Sequence, residues 1–443
     1  RDVTPPALTS WSKVSMLEAS RFDAGTAYAA INRFRLDDLR PHVYRTRDDG
    51  LTWTEIVKGL PENAPVNSVR EDPVRKGLLY AATERGVGVS FDDGESWQSL
   101  QLNLPATSVR DLVVHGDDLV VGTHGRSFWI LDDISPLRQL TPELLSSGPH
   151  LLAPQAATRV RRDRNTDTPL PPEEPAGENP PDGAVLYYDL PSKPSGPVTL
   201  EILDAMGNLV RRYSSADVPE PVAADLNVPA YWVRPPHRLS DGPGLHRFVW
   251  DLRYPDPPAL EHEYPISAIV HDTPRGPRGV LVVQARYTVR LTVDGKTFTQ
   301  PLEVRMDPRV PTSPEGLTAQ FQLAMKIYRA LLRNDEGLRG VRAYREKLAR
   351  KISTARSPSG KKQLAALDSK AAALEGVPGP LWSRPPQTSK ERDFSLLNAE
   401  FLALLDVVES TDAAPTAQAA EAASELEKAL DLALSRWKEV PRK

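Results

Sequence analysis

Ten charged or titratable side chains that could hold a ligand fall in three short stretches: Arg33, Arg35, Asp37, Asp38, Arg40 and His42, then Glu84 and Arg85, then His124 and Arg126. Guanidinium forks grip carboxylates, so this mixture could bind a sugar acid, a peptide terminus or a neighbouring domain. Charge of this kind is also the ordinary state of a solvated loop. The chain has no Cys, which removes thiolate metal sites, disulfides and a Cys nucleophile. No G-x-S-x-G, H-E-x-x-H or phosphate-cradling Gly loop occurs in it.

What must position those stretches is a repeated turn. The run from Thr46 to Trp53 returns from Ser90 to Trp97, and both copies read S/T-x-D-x-G-x-S/T-W. In this Asp-box pattern the carboxylate and the hydroxyl hydrogen-bond the turn's own backbone, Gly supplies a positive φ, and Trp covers the turn and packs inward. Thr46, Asp48, Gly50, Thr52 and Trp53, with Ser90, Asp92, Gly94, Ser96 and Trp97, are therefore read as structural. Asp49 and Asp93 join them.

The turns belong to a longer repeat. Ser68-Val69-Arg70 recurs as Ser108-Val109-Arg110 and Thr83 as Thr123, both 40 positions on. Tyr28-Ala29-Ala30 precedes Tyr80-Ala81-Ala82 by 52 positions while the Asp boxes differ by 44, so the first unit carries eight extra residues, placed between Asn32 and His42. In the third unit Asp132 and Asp133 survive, but the box Gly is lost and Leu137 stands where Trp97 stood. Each unit alternates short β-branched and aromatic runs with turn residues, and a period near 40 with about four strands marks β-propeller blades. The box then closes the turn between the third and fourth strands. The candidate ligand residues fall in the loop between the second and third, on the opposite face. Three blades do not close a propeller, which takes about four to eight. Further blades are expected from the same precursor or from another chain. The start at Arg1, without an initiator Met or signal peptide, reads as a cut or processed product.

With the two boxes, the run from Gly122 to Asp133 and the later run from Gly177 to Gly183, nearly the whole chain resembles the C-terminal part of large exported bacterial proteins with sortilin-like (Vps10-type) Asp-box (BNR) propellers. Such proteins are often labelled glycosyl hydrolases. The resemblance implies an exported, periplasmic or extracellular protein. A glycosidase would need two carboxyls about 5 to 10 Å apart, or a Tyr nucleophile with a carboxylate partner and an Arg cluster for sialic acid. Asp37, Asp38 and Glu84 are the carboxylates that fall on the ligand face, and no spacing rule pairs them. Catalytic residues, if present in such a protein, are expected upstream of Arg1.

The remainder reads as three segments, giving a multi-domain chain that is mainly β and then α. Residues 141–183 form a Pro-rich linker, with one strand expected between Pro149 and Val160. Its basic cluster, Arg159, Arg161, Arg162 and Arg164, has no interleaved aromatics and is read as solvated or interdomain-pairing. Residues 184–310 alternate as half-buried strands, with hairpin turns at Ala205 to Asn208 and at Asp294-Gly295, and suggest an immunoglobulin- or fibronectin-like β-sandwich with Trp250 and Tyr287 in its core. His262, Glu263 and His271 could mimic a metal site, but scattered loop ligands favour none. Residues 311–443 read as an antiparallel helical bundle. It opens at Ser313-Pro314-Glu315 and continues at Lys361 to Leu374, Phe394 to Val408 and Thr416 to Trp437. An Ala-rich face from Ala417 to Ala433 could dock a partner helix.

At 443 residues with net charge −4, the chain has no basic field for nucleic acid, and no apolar run nears the roughly 18 residues of a membrane span. The reading is a non-catalytic binding portion of an exported Asp-box propeller protein, with a protein or glycan ligand and no cofactor or metal. The alternatives are a glycoside hydrolase, sialidase- or β-glucanase-like, whose catalytic blades lie upstream, and a scaffold subunit of an exported assembly.

Overall fold

The computed structural model describes residues 2–161, 177, 180–219, 226, 228–236, 238–260, 262, 273, 275–379, 381 and 391–441. The chain divides into two compact units, Arg1–Leu152 and Ala153–Lys443.

The first unit is built from three successive antiparallel meanders. Strands β1 (Lys13–Ala19), β2 (Ala27–Asn32), β3 (His42–Thr46) and β4 (Thr54–Glu55) pair in chain order. So do β5 (Val66–Glu71), β6 (Leu79–Thr83), β7 (Gly86–Ser90) and β8 (Gln98–Ser99). The third meander holds β9 (Val109–His115), β10 (Asp118–Thr123) and β11 (Phe128–Leu131). Alternating side chains sort to opposite faces of each sheet. Tyr28, Ala30 and Val43 pack with Val66, Val69, Leu79 and Ala81, whereas Ala29, Ile31 and Tyr44 point the other way, onto Leu8 and Trp53. In the same way Tyr80, Ala82, Val87 and Val89 pack with Val109, Leu112, Leu119 and Val121. The middle strands β3, β6 and β7 are buried along their whole length.

Where a fourth strand would follow β11, the chain turns into helix α1 (Ser135–Gln139), with Pro136 in its first turn. The lost box Gly and this Pro both oppose a hairpin there. Arg138 holds the helix down, with Nε 3.0 Å from both carboxylate oxygens of Asp72, Nη2 donating to the Gly116 carbonyl at 2.9 Å, and a contact to Asp117. Helix α2 (Pro142–Ser146) follows, its cap Thr141 accepting from the Leu144 N–H. These residues, read from sequence as the start of a linker, form regular structure because Thr-Pro-Glu is a helix start.

In the second unit a five-stranded sheet runs in the order Ala157–Arg159, Lys296–Met306, Ala285–Val293, Thr199–Leu203, Leu209–Ser214. The expected strand before residue 160 is thus Ala157–Arg159, parallel to its neighbour. A further antiparallel pair, Ala184–Leu190 with Gly244–Trp250, faces this sheet. Aromatic contacts join the two layers, Trp250 to Tyr287 at 5.7 Å and Tyr213 to Phe248 at 4.7 Å. Asp294 and Gly295, with φ of 48° and 76°, make the expected two-residue hairpin.

Among the described residues, helices α3 (Pro314–Thr354), α4 (Pro358–Glu375), α5 (Phe394–Glu409) and α6 (Ala417–Glu439) complete the unit. Their starts follow the sequence signals. Ser313, Ser357, Asp393 and Thr416 each accept from a backbone N–H of the first turn. Helix α3 runs unbroken for 41 residues and carries buried Leu317, Leu331, Leu338 and Leu348 along it. At Gly337 a Cβ would stand 2.8 Å from the Phe394 ring, so the absent side chain lets α3 and α5 approach. The Ala-rich face proposed from sequence for docking is itself core, with Ala419, Ala423, Leu426, Leu430, Ala433 and Trp437 buried. The exposed side of α6 carries Glu421, Glu425, Lys428 and Asp431.

The basic cluster turns inward. Arg159, buried, donates to the Val282 carbonyl at 2.8 Å and pairs with Asp412, which also accepts from Arg161 at 2.8 Å. Glu409 beside it meets Arg253 at 3.4 Å and the Leu281 N–H at 3.2 Å. Burial, and then Arg278 nearby, pull the Arg253 guanidinium down to about 10. These bonds tie strand residues to the end of α5, as the pairing alternative for the cluster expected. Arg162 and Arg164 lie outside the described residues.

Candidate functional site

The loop between β2 and β3 places six of the ten candidates in nine residues and a strand end. A 3₁₀ turn, Phe34–Leu36, fills it, and Asp37 closes that turn with φ of 61°. Asp38 is the loop's hub. Arg40 grips it with Nε and Nη2, each at 2.9 Å, Arg33 Nη1 lies at 3.3 Å and His42 Nε2 at 3.1 Å. Arg40 first of all, then the backbone and His42, hold the Asp38 carboxyl far below the ordinary carboxylate range. His42 is buried, and its Nδ1 sits 2.7 Å from Glu55 on β4. Arg35 is exposed and lies over the Phe34 ring, 5.7 Å from its centroid.

The second candidate loop is the two-residue turn Glu84-Arg85 between β6 and β7. Glu84 accepts from Asn67 at 3.0 Å and from Arg110 at 2.8 Å. Asn67 also accepts from Asn32 at 2.8 Å and donates to the Val109 carbonyl at 2.9 Å. A polar ladder therefore runs from the first sheet to the third across the second. Sequence reading missed Asn67 and Arg110. Thr107 stands 40 positions after Asn67, so the repeat itself flags Asn67 as a departure. Arg85 is exposed.

His124 and Arg126 lie between β10 and β11, both exposed. The His124 N–H donates to the Ser108 carbonyl at 2.8 Å, and the Arg126 carbonyl accepts from the Trp129 indole at 2.9 Å. Nine of the ten candidates thus fall in loops joining second to third strands, and His42 opens β3. Asp38 and Glu84 are taken up by neighbouring basic and amide groups, whereas Asp37 stays exposed. Arg35, Arg85, His124 and Arg126 present their charge or imidazole to solvent.

At the other end of the sheets the two Asp boxes are near-copies. Asp48 accepts from the Thr52 N–H at 2.8 Å and its hydroxyl at 2.6 Å, and Asp92 accepts from the Ser96 N–H at 2.9 Å and its hydroxyl at 2.6 Å. The Thr46 and Ser90 hydroxyls each accept from the box Gly N–H at 2.9 Å. Gly50 and Gly94 take φ of 80° and 88°. These are turns whose polar groups are satisfied locally. Asp93 does more than that reading expects. It accepts from Tyr28 and Arg45 on the first sheet and from Arg47 in that sheet's box turn, and so joins the two boxed sheets. Burial, followed by the Asp93 carboxylate, pushes the Tyr28 hydroxyl far above its ordinary range.

No group of His, Asp or Glu able to hold a metal exists among the described residues. His262 contacts the Gly276 carbonyl at 3.0 Å, and Glu263 and His271 lie outside the described residues. No helix among the described residues is long and apolar enough to cross a membrane.

No protein-family model matches this chain, and a search of curated proteins finds no match. Among solved structures it is similar to a GH74 enzyme from Niastella koreensis, at 14% identity over 40% of this chain and 26% of that one, with a TM-score of 0.23. YCF48 from Cyanidioschyzon merolae is similar at 12% identity over 42% of this chain and 52% of that one, TM-score 0.21. The extracellular domain of a putative hybrid two component system from B. thetaiotaomicron is similar at 10% identity over 67% and 31%, TM-score 0.22. The chain spans about half or less of each of those chains. Likenesses of this size leave both fold and function to the geometry of the chain itself.

Proposed function

We propose that residues 1–140 are consecutive blades of a sortilin-like, Asp-box (BNR) β-propeller, residues 184–310 an immunoglobulin- or fibronectin-like sandwich, and residues 311–443 a helical bundle. Together they form a non-catalytic, ligand-binding portion of an exported protein. The ligand face is the one formed by the loops at Arg33 to His42, Glu84-Arg85 and His124 to Arg126. One observation supports binding over chemistry. The carboxylates Asp38 and Glu84 are held by Arg33, Arg40 and His42 and by Asn67 and Arg110, whereas the groups facing solvent are mostly cationic. The Asp38 carboxyl, held ionised by Arg40, cannot serve as the proton donor of a glycosidase. Exposed guanidinium groups suit an acidic ligand, a sugar acid or a peptide carboxylate.

Calorimetric titration with sialyllactose, with oligogalacturonate and with a peptide bearing a free C-terminal carboxylate tests this. Binding of one of them is expected, weakened severalfold by Arg85→Ala together with Arg126→Ala and weakened by added salt. Absence of binding to all three, or binding indifferent to the double variant, would overturn the assignment of the face.

A further inference from the structure

In the second unit a cleft of about 830 Å³ opens beside the outermost strand of the five-stranded sheet, within the roughly 300 to 1,000 Å³ of ordinary ligand clefts. That strand, Leu209–Ser214, pairs only with Thr199–Leu203 among the described residues. Leu209, Val210, Arg211 and Arg212 all line the cleft, and because successive strand side chains point to opposite faces, the cleft runs along the strand's edge. The backbone there is open. The Ser215 N–H donates to the Val198 carbonyl at 2.9 Å, and bonded pairs alternate with open ones in an antiparallel ladder, so the register turns the N–H and C=O of Arg212 and Ser214 away from the sheet. Asp217 takes those of Ser214, its carboxylate accepting at 2.7 Å and its N–H donating at 3.1 Å. Those of Arg212 have no partner among the described residues. The opposite wall is one face of α3, where Phe321, Met325, Tyr328, Arg329 and Leu332 recur at helical spacing. The Tyr254 ring joins them, 6.0 Å from that of Phe321 and 6.4 Å from that of Tyr328. From Phe321 to Leu332 the helix rises about 16 Å, the length of about five extended residues.

We propose that this cleft binds an extended acidic peptide, which adds a strand at the free edge of Arg212 and lays an apolar side chain on the rings of Tyr254, Phe321 and Tyr328. Strand addition takes affinity from an open backbone edge and selectivity from pockets for alternate side chains, and the cleft sets the two side by side. Charge selects an acidic partner. Arg211, Arg212 and Arg329 enter no ion pair among the described residues, and Glu201, opposite Arg212 on the neighbouring strand, pairs instead with Arg290 at 2.7 Å. Asp204 is taken up by its own turn, accepting from the Met206 and Asn208 N–H groups at 2.9 and 2.8 Å. A second copy of this chain is a poor occupant, since pairing two such edges would set these arginines against their own counterparts. Free edges are commonly guarded by a bulge and by charge, and this strand has both, its register shifting between Leu209 and Arg211. A guarded edge faces water, whereas this one opens onto Leu209, 52% exposed, and Leu332, 42% exposed, across the cleft. The site belongs to the second unit and is independent of the loop face of the first.

Selection of a random heptapeptide phage library on the 443-residue chain tests this. It should enrich sequences in which Asp or Glu alternates with apolar or aromatic residues. The best of them, synthesised with blocked ends and followed by fluorescence polarisation, should bind at least about tenfold more weakly when one alternate set of its amides is N-methylated, and not when the other set is, because one edge of the added strand faces Arg212. Arg212→Pro removes the outward N–H and is tolerated at a free edge, so it should weaken binding to the same degree with the melting temperature unchanged. Arg329→Glu, on the helix wall, should do the same and serves if the proline disturbs the strand. Arg85→Ala with Arg126→Ala should keep this binding. No enrichment of acidic sequences, or binding indifferent to N-methylation, would overturn the proposal. Self-association of the chain that disappears in Arg212→Pro would assign the edge to a second copy and overturn it as well. Binding lost only in the variant of Arg85 and Arg126 would move the peptide to the loop face, so that this inference falls and the ligand face stands.

Discussion

If the Asp box is a structural clip, its Trp should matter by how deeply it is buried, and the two boxes supply an internal comparison. Trp97 is 4% exposed, packs with Ile56, Leu60, Val69 and Leu79, and donates its indole N–H to the Ile56 carbonyl at 2.8 Å. Trp53, at the same box position, is only half-buried. Burying a Trp removes about 150 to 250 Å² from water, and at about 25 cal/mol per Å² this is worth about 4 to 6 kcal/mol. Removing a buried Trp side chain costs about 3 to 5 kcal/mol. Trp97→Ala should therefore lower the melting transition of the first unit by about 6 to 20 °C, at about 2 to 4 °C per kcal/mol. Trp97→Phe keeps most of the ring contact and orphans the Ile56 carbonyl, for about 1 to 3 kcal/mol. Trp53→Ala should cost about half of what Trp97→Ala costs. Differential scanning calorimetry of the whole chain reads these shifts, and the transition of the second unit serves as the unchanged reference. A loss below about 1 kcal/mol for Trp97→Ala, or equal losses at both positions, would refute the reasoning.

Three further outcomes follow from the same geometry. Gly94→Ala should destabilise the first unit by more than about 1 kcal/mol, because φ is +88° and a Cβ would meet Ile56 Cδ1 at 2.4 Å; denaturant midpoints check it. Asp38 has its folded pKa depressed by Arg40, so its contribution is present above the unfolded carboxylate value near 4 and is lost as pH falls below it. Urea midpoints between pH 6 and pH 2.5 should accordingly fall less steeply in Asp38→Asn than in the parent chain, and parallel curves would contradict the pairing. Asp412→Ala leaves Arg159 and Arg161 without their shared carboxylate and should cost the second unit about 3 to 5 kcal/mol by calorimetry, whereas a surface acid such as Glu421 should cost almost nothing.

Features written locally in the chain were legible from sequence. The two boxes fold as their spacing dictates, because every partner of Asp48 and Asp92 lies within four residues. The 40-residue offset found the sheets, and the helix starts read at Ser313, Phe394 and Thr416 stand within a residue or so, while the one read at Lys361 begins at Pro358. Contacts between distant residues were not legible. Period and composition say nothing of Arg138 reaching Asp72 across 66 residues, so the helix that ends the third meander came as a departure. Arg159 read only as part of a solvated or interdomain-pairing cluster, and its partner Asp412, 253 residues away, was not legible. At the candidate site the loops were placed from sequence alone, and Asp38 pairs with Arg40 two residues away, whereas the pairing of Glu84 with Arg110 is set only by the packing of the second sheet on the third. The Ala-rich face of α6 misled for a related reason. Small residues serve a helix interface inside one chain as well as one between chains.

The central claim is that the loop face binds and does no chemistry, with Asp38 and Glu84 engaged in holding the structure. It is tested most directly by measuring turnover of sialosides and β-glucans by the parent chain, Asp37→Asn and Glu84→Gln. The account predicts no turnover above background for any of them, with Glu84→Gln lowering the melting temperature of the first unit through the loss of its ionic bond to Arg110. Turnover by the parent chain that disappears in Asp37→Asn or Glu84→Gln would contradict it.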